Sequence, residues 1–149
     1  MGIINRFFTV FLVLFFSTNI FSQEKIIPKS NWGITLENEK LLINQRVIVV
    51  NDKHNGIYRE YIQYQYHNKT EKQLFIKWYF VAEYLNQQSK SKLDDENYRA
   101  LLLEPKETFL PKFNSSKDKM FFVFKKLLDF NDKPTLESVN FHNLEYKTL

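Results

Sequence analysis

Ile57–Leu85 reads IYREYIQYQYHNKTEKQLFIKWYFVAEYL, and it contains two runs that alternate with a period of two. In the first, Tyr58, Ile62, Tyr64 and Tyr66 fall on one side, while Arg59, Gln63 and Gln65 fall on the other with Tyr61 among them. In the second, Leu74, Ile76, Trp78, Phe80 and Ala82 alternate with Phe75, Lys77, Tyr79, Val81 and Glu83. Successive side chains of a strand point to opposite faces, so each run predicts a strand with one buried face. The polar break Asn68–Lys72 between them predicts an antiparallel hairpin. Setting Tyr66 opposite Leu74 brings Tyr64 to Ile76 and Ile62 to Trp78, a continuous apolar face. The same register pairs Gln65 with Phe75, Gln63 with Lys77 and Tyr61 with Tyr79 on the other face.

The same rhythm extends both ways along the chain. Upstream, Leu41–Val50 (LLINQRVIVV) is rich in β-branched residues, which favour strands. It ends at Asn51–Gly56, where Asn and Asp bond their own backbone and Gly accepts a positive φ. Residues before Leu41 form a polar lead-in containing Pro28. Downstream, Asn86–Asn97 is the longest polar stretch and predicts a loop. Tyr98–Leu103 predicts a short strand stopped at Pro105, because proline has no N–H for a ladder. Thr108–Phe113 contains Pro111 and fits an edge strand at best. Met120–Phe130 (MFFVFKKLLDF) begins apolar on both faces, as a central strand would, and its Phe and Val content favours strand over helix. Leu136–Tyr146 predicts the last strand.

Six to eight strands with frequent turn signals and no convincing helix predict an all-β, antiparallel β-sandwich. Strand number and rhythm resemble immunoglobulin-like sandwiches. That resemblance implies that Trp78 takes the place of the core tryptophan, while the cysteine pair of antibody domains is absent. The architecture hosts many unrelated functions and carries no activity with it.

Met1–Ser22 has the order of a secretory signal peptide: Arg6, then the apolar run Phe7–Phe16, then Ser17–Thr18–Asn19. Ten helical residues rise about 15 Å, well short of a bilayer core of about 30 Å. Cleavage is expected between Ser22 and Gln23, leaving one domain over residues 23–149 with no stable membrane span. The ending Phe21–Ser22–Gln23 and the Lys-, Asn-, Ile- and Phe-rich body resemble exported proteins of Bacteroidota-type bacteria, of unknown function. The resemblance implies a periplasmic or secreted protein. No cysteine lies near the cleavage site to accept a lipid.

Composition excludes several classes. The chain of 149 residues is 44% hydrophobic and 26% charged, ordinary values for a globular domain. No cysteine means no disulfide, thiolate metal ligand or thiol nucleophile. The net charge of +4 falls to +3 once Arg6 leaves with the leader, and it is spread along the chain, so no nucleic-acid footprint is expected. His54, His67 and His142 form no metal-ligand spacing. Asp94–Asp95–Glu96 lacks the glycine and alternating acids of a calcium loop, and Lys90 and Lys92 lie close by. Three glycines leave no phosphate loop, and no nucleophile elbow is present. No catalytic residue, metal or cofactor is therefore expected. Asn68–Lys69–Thr70 and Asn114–Ser115–Ser116 match the glycosylation tripeptide.

The aromatic load is the informative anomaly: fifteen Phe, eight Tyr and two Trp. In the hairpin above, Tyr61, Phe75 and Tyr79 lie with Lys77 on the face away from the core. They either lie under the segment carrying Trp32 or the long loop, or form a contact surface, since aromatic rings stack on sugars and peptides. The expected function is a binding or accessory module of the cell envelope, with Tyr61, Phe75, Lys77 and Tyr79 as its contacts and an envelope protein or glycan as partner. Two other classes fit: a glycan or peptidoglycan hydrolase using loop carboxylates, and a structural subunit that adds a strand along the edge at 108–113.

Overall fold

A computed structural model describes residues 25–52, 56–85, 93–129 and 134–149. The expected leader and cleavage site, Ser22 and Gln23, lie outside the described residues. Among the described residues nine strands follow one another: β1 (Lys25–Pro28), β2 (Gly33–Glu37), β3 (Leu41–Asp52), β4 (Ile57–Asn68), β5 (Leu74–Tyr84), β6 (Tyr98–Leu103), β7 (Thr108–Phe109), β8 (Phe122–Leu127) and β9 (Leu136–Thr148). A single 3₁₀ turn, η1 (Lys119–Phe121), precedes β8. No helix among the described residues is long and apolar enough to cross a membrane.

The strands form two antiparallel sheets packed as a sandwich. In the six-stranded sheet, β1 and β2 pair in tandem with one edge of β3, β3 pairs with β4, and β7 and β8 pair in tandem with the far edge of β4. The three-stranded sheet has the order β6-β5-β9. Nine strands exceed the six to eight expected. The surplus lies in β1 and β2, short and mostly exposed strands whose polar lead-in sequence carries no alternation. β8 also differs from expectation, since it is an edge strand. Its apolar residues face both ways because Val123 joins the central core while Phe122 joins a second cluster on the opposite side.

The expected β4–β5 hairpin is not formed. β4 pairs with β3 over its whole length, from Ile57 opposite Asp52 to Asn68 opposite Leu41, and β5 belongs to the other sheet. The faces nevertheless match the alternation. Tyr64 and Tyr66 of β4 meet Phe80 and Trp78 of β5 across the sandwich, each pair with ring centroids 5.2 Å apart. Leu41, Ile43, Ile62, Leu74, Ile76 and Leu103 complete the dry centre.

Asn68 makes the crossing between sheets possible. Its side chain is fully buried, donating through Nδ2 to the carbonyls of Lys72 at 2.7 Å and Glu104 at 2.8 Å. Its Oδ1 accepts from the N–H and the hydroxyl of Thr70. All of its amide hydrogen-bonding capacity is used internally, so in the folded protein Asn68 cannot accept a glycan. Asn114 of the second tripeptide is exposed in a turn. Asn68→Ala strands two carbonyls and one N–H, and is expected to destabilise the fold by about 2 kcal/mol. Urea denaturation reads this directly; a loss below about 0.5 kcal/mol would place the residue among ordinary surface positions.

On the outer face of the six-stranded sheet, Ile48 and Val50 pack with Phe113 and Phe122, and Tyr61 and Ile26 rest against them. The segment after β7 folds over this face: Gln63 Nε2 donates to the Pro111 carbonyl at 3.0 Å, and Asp118 accepts from the Lys112 N–H at 2.9 Å. The inner face of β4 carries one charge, Glu60. It is fully buried, ion-paired to Lys29 after β1, and its second oxygen lies 3.8 Å from Lys125 Nζ.

Candidate functional site

β5 runs down the middle of the three-stranded sheet and turns Phe75, Lys77 and Tyr79 to the outside. On β6, Leu102 stands opposite Phe75, Ala100 opposite Lys77 and Tyr98 opposite Tyr79. On β9, Lys147 stands opposite Phe75, Glu145 opposite Lys77 and His142 opposite Tyr79. Leu102 is 47% exposed, and the rings of Phe75, Tyr79 and Tyr98 are half-buried by their neighbours. Tyr79 and Tyr98 pair with ring centroids 5.4 Å apart at 59°. At the centre, Lys77 Nζ lies 3.0 Å from Glu145 Oε2. That hydrogen bond and the charge of the carboxylate raise Lys77 above its ordinary value.

A bulge shapes the surface. Asn143 and Leu144 both lie opposite Trp78, and Asn143 adopts φ 50°, a left-handed conformation that asparagine tolerates better than most residues. The extra residue parts Glu145 from His142 along β9. Two shallow depressions lie on either side of the ion pair, one of them at the bulge. One, of about 240 Å³, is bounded by Phe75, Lys77, Glu145 and Lys147. The other, of about 210 Å³, is bounded by Lys77, Tyr79, Tyr98, Asn143 and Glu145.

Of the four residues expected to share a face, Phe75, Lys77 and Tyr79 do so. Tyr61 does not. It lies on the outer face of the other sheet, under Phe113 at 4.8 Å and beside Phe124 at 5.7 Å. The cause is the crossing at Asn68, which sends β4 and β5 into different sheets and turns their non-core faces in opposite directions. Trp32 covers part of that other face, stacked 4.4 Å from the Arg46 guanidinium, which in turn donates to Gln63. Tyr98, Leu102 and Glu145 join the site in place of Tyr61. Alternation places Tyr98 and Leu102 on one side of their strand, but only the β5–β6 and β5–β9 registers bring them to Phe75, Lys77 and Tyr79.

The alternative chemistries find other placements. Asp94 accepts from the Asn97 backbone and side chain, so this acid of the 94–96 cluster braces its own turn. Among the described residues, no group of three or more His, Asp or Glu could hold a metal ion. In the 108–113 segment, Thr108 and Phe109 pair with β4 at the end of the six-stranded sheet, and Phe113 covers Tyr61. No protein-family model, curated protein or solved structure matches the chain.

Proposed function

We propose that the protein acts by binding, as an exported accessory module of the cell envelope, through the outer face of the β6-β5-β9 sheet. Phe75, Lys77 and Tyr79 are the contacts, with Tyr98 and Glu145 beside them. The observation that carries this reading is the division of aromatic labour. Tyr64, Tyr66, Trp78, Phe80, Phe121 and Phe141 already fill the core. The rings of Phe75, Tyr79 and Tyr98 lie outside that core, half-buried on the outer side of a folded, antiparallel platform. Rigid aromatic side chains give large contact area at small entropic cost, so such a face suits recognition. The two depressions share one carboxylate, Glu145, already engaged by Lys77, whereas glycoside hydrolysis takes two carboxylates about a bound substrate. Export rests on the leader pattern of Met1–Ser22. The reading needs no cofactor, membrane span or nucleic acid.

The test is retention on envelope material from the source cells. The processed chain is expected to bind, Phe75→Ser/Tyr79→Ser to lose about tenfold or more in affinity, and Gln65→Ser on the opposite sheet to bind as the parent does. Equal retention of all three, with matched thermal melts, would remove this face from consideration.

A further inference from the structure

Resting on that reading, we propose that the ligand is a neutral polysaccharide laid along β5, with ring faces on Phe75 and on the Tyr79–Tyr98 pair and hydroxyls on Lys77 and Glu145. Phe75 and Tyr79 are four residues apart on one strand, about 13 Å at the rise of an antiparallel strand. The ion pair stands midway. The order along the strand is therefore aromatic, polar pair, aromatic, with a depression on each side of the pair. A chain of pyranoses presents the matching order: apolar C–H faces that stack on rings, separated by hydroxyls. Each hydroxyl both donates and accepts. An ammonium that only donates beside a carboxylate that only accepts can serve such hydroxyls without either charge leaving its partner.

Charge narrows the class. Lys77 and Glu145 cancel one another at 3.0 Å, which leaves Lys147 as the one uncompensated charge among the residues bounding the depressions. A single lysine at one end is too little charge to select a polyanion, and an acidic peptide or nucleic acid would have to displace Glu145 from Lys77 at the centre. A protein partner fits less well for a different reason. The centre of a protein interface is depleted of charge and fully desolvated, whereas the centre of this face is an ion pair whose side chains are 39% and 64% exposed. The depressions are shallow and open, suited to a polymer crossing the surface; a small ligand is normally buried over most of its area.

The experiment uses the processed chain and three materials from the source envelope: the whole envelope, the same after protease digestion, and its polysaccharide freed of acidic polymers on an anion exchanger. Binding to the last, unchanged from low to molar salt and weakened about tenfold or more by Tyr79→Ala, is the expected result. Lys77→Met, which keeps the apolar stem, is expected to weaken it as well while leaving the thermal melt in place. Retention that needs Phe75 and Tyr79 but disappears on protease digestion would overturn the polysaccharide and name a protein partner, leaving the binding face intact. Retention only by the acidic polymers, lost in molar salt, would also overturn it. Binding indifferent to Phe75 and Tyr79 would overturn both the ligand and the face.

Discussion

Trp78→Ala is expected to cost the fold about 4 kcal/mol, at the upper end of large-to-small core substitutions. The indole is fully buried and sits among rings from four elements: Tyr66 of β4 at 5.2 Å, Phe80 of its own strand at 5.7 Å, Phe121 of η1 at 6.1 Å and Phe141 of β9 at 5.8 Å. These neighbours come from both sheets and pack against one another as well. Tyr66 meets Phe121, and Phe80 meets Phe141 at 5.1 Å. They cannot all move inward at once, so most of the vacated volume persists as a cavity. The indole N–H has no hydrogen-bond partner among the described residues, so no broken hydrogen bond is counted in the loss. Trp78→Phe keeps a ring in place and should cost about 1–2 kcal/mol. A domain of this size is stable by only about 5–15 kcal/mol, so the alanine variant should unfold at markedly lower urea with an unchanged m-value. A loss under about 2 kcal/mol would show that the aromatic shell collapses around the site and that Trp78 is no keystone.

Which side chains face inward was legible in the sequence; which strands pair was not. Tyr64, Tyr66, Ile76, Trp78 and Phe80 are buried as their alternation requires. The same alternation, however, fits a hairpin or a crossing between sheets equally well, because both place the apolar residues toward one another. The decision rests with Asn68, whose side chain satisfies the carbonyls and N–H of the crossing. Nothing in the polar run Asn68–Lys72 distinguishes that from an ordinary turn. The consequence for the site is concrete. Phe75, Lys77 and Tyr79 share one strand, so period two suffices to place them together. Tyr61 was joined to them only by an inferred ladder, and it left with the ladder. Glu145 was equally out of reach of the sequence, since its position opposite Lys77 depends on the extra residue at Asn143. Glu60 is hidden for a related reason. It interrupts the inward series between Tyr58 and Ile62, and its burial makes sense only with Lys29 and Lys125 beside it, both distant in sequence.

That buried acid supports the second large effect, expected in Lys29→Met/Lys125→Met. Among the described residues the two lysines are the cations facing Glu60, one in direct ion pair with Oε1 and the other 3.8 Å from Oε2, which has no hydrogen-bond partner there. Their side chains are 51% and 32% exposed, and that of Glu60 is 0% exposed. The asymmetry decides the outcome of each substitution. A lysine that loses Glu60 can turn its ammonium to water, so Glu60→Met alone should be nearly neutral, or stabilising by about 1 kcal/mol. A Glu60 that loses both lysines has no route to solvent without opening the sandwich between β1, β3 and β8. The double lysine variant should therefore lose about 3–5 kcal/mol, the cost of an uncompensated buried charge. Adding Glu60→Met to it should restore most of that loss, since methionine fills irregular space and asks for no partner. Denaturation of the four chains gives the coupling directly. If the double lysine variant is as stable as the parent, Glu60 reaches water by another path and its burial does not depend on these cations. If the triple variant is no better than the double, the loss comes from the lysine stems packed over the strand ends, and the charge is a bystander.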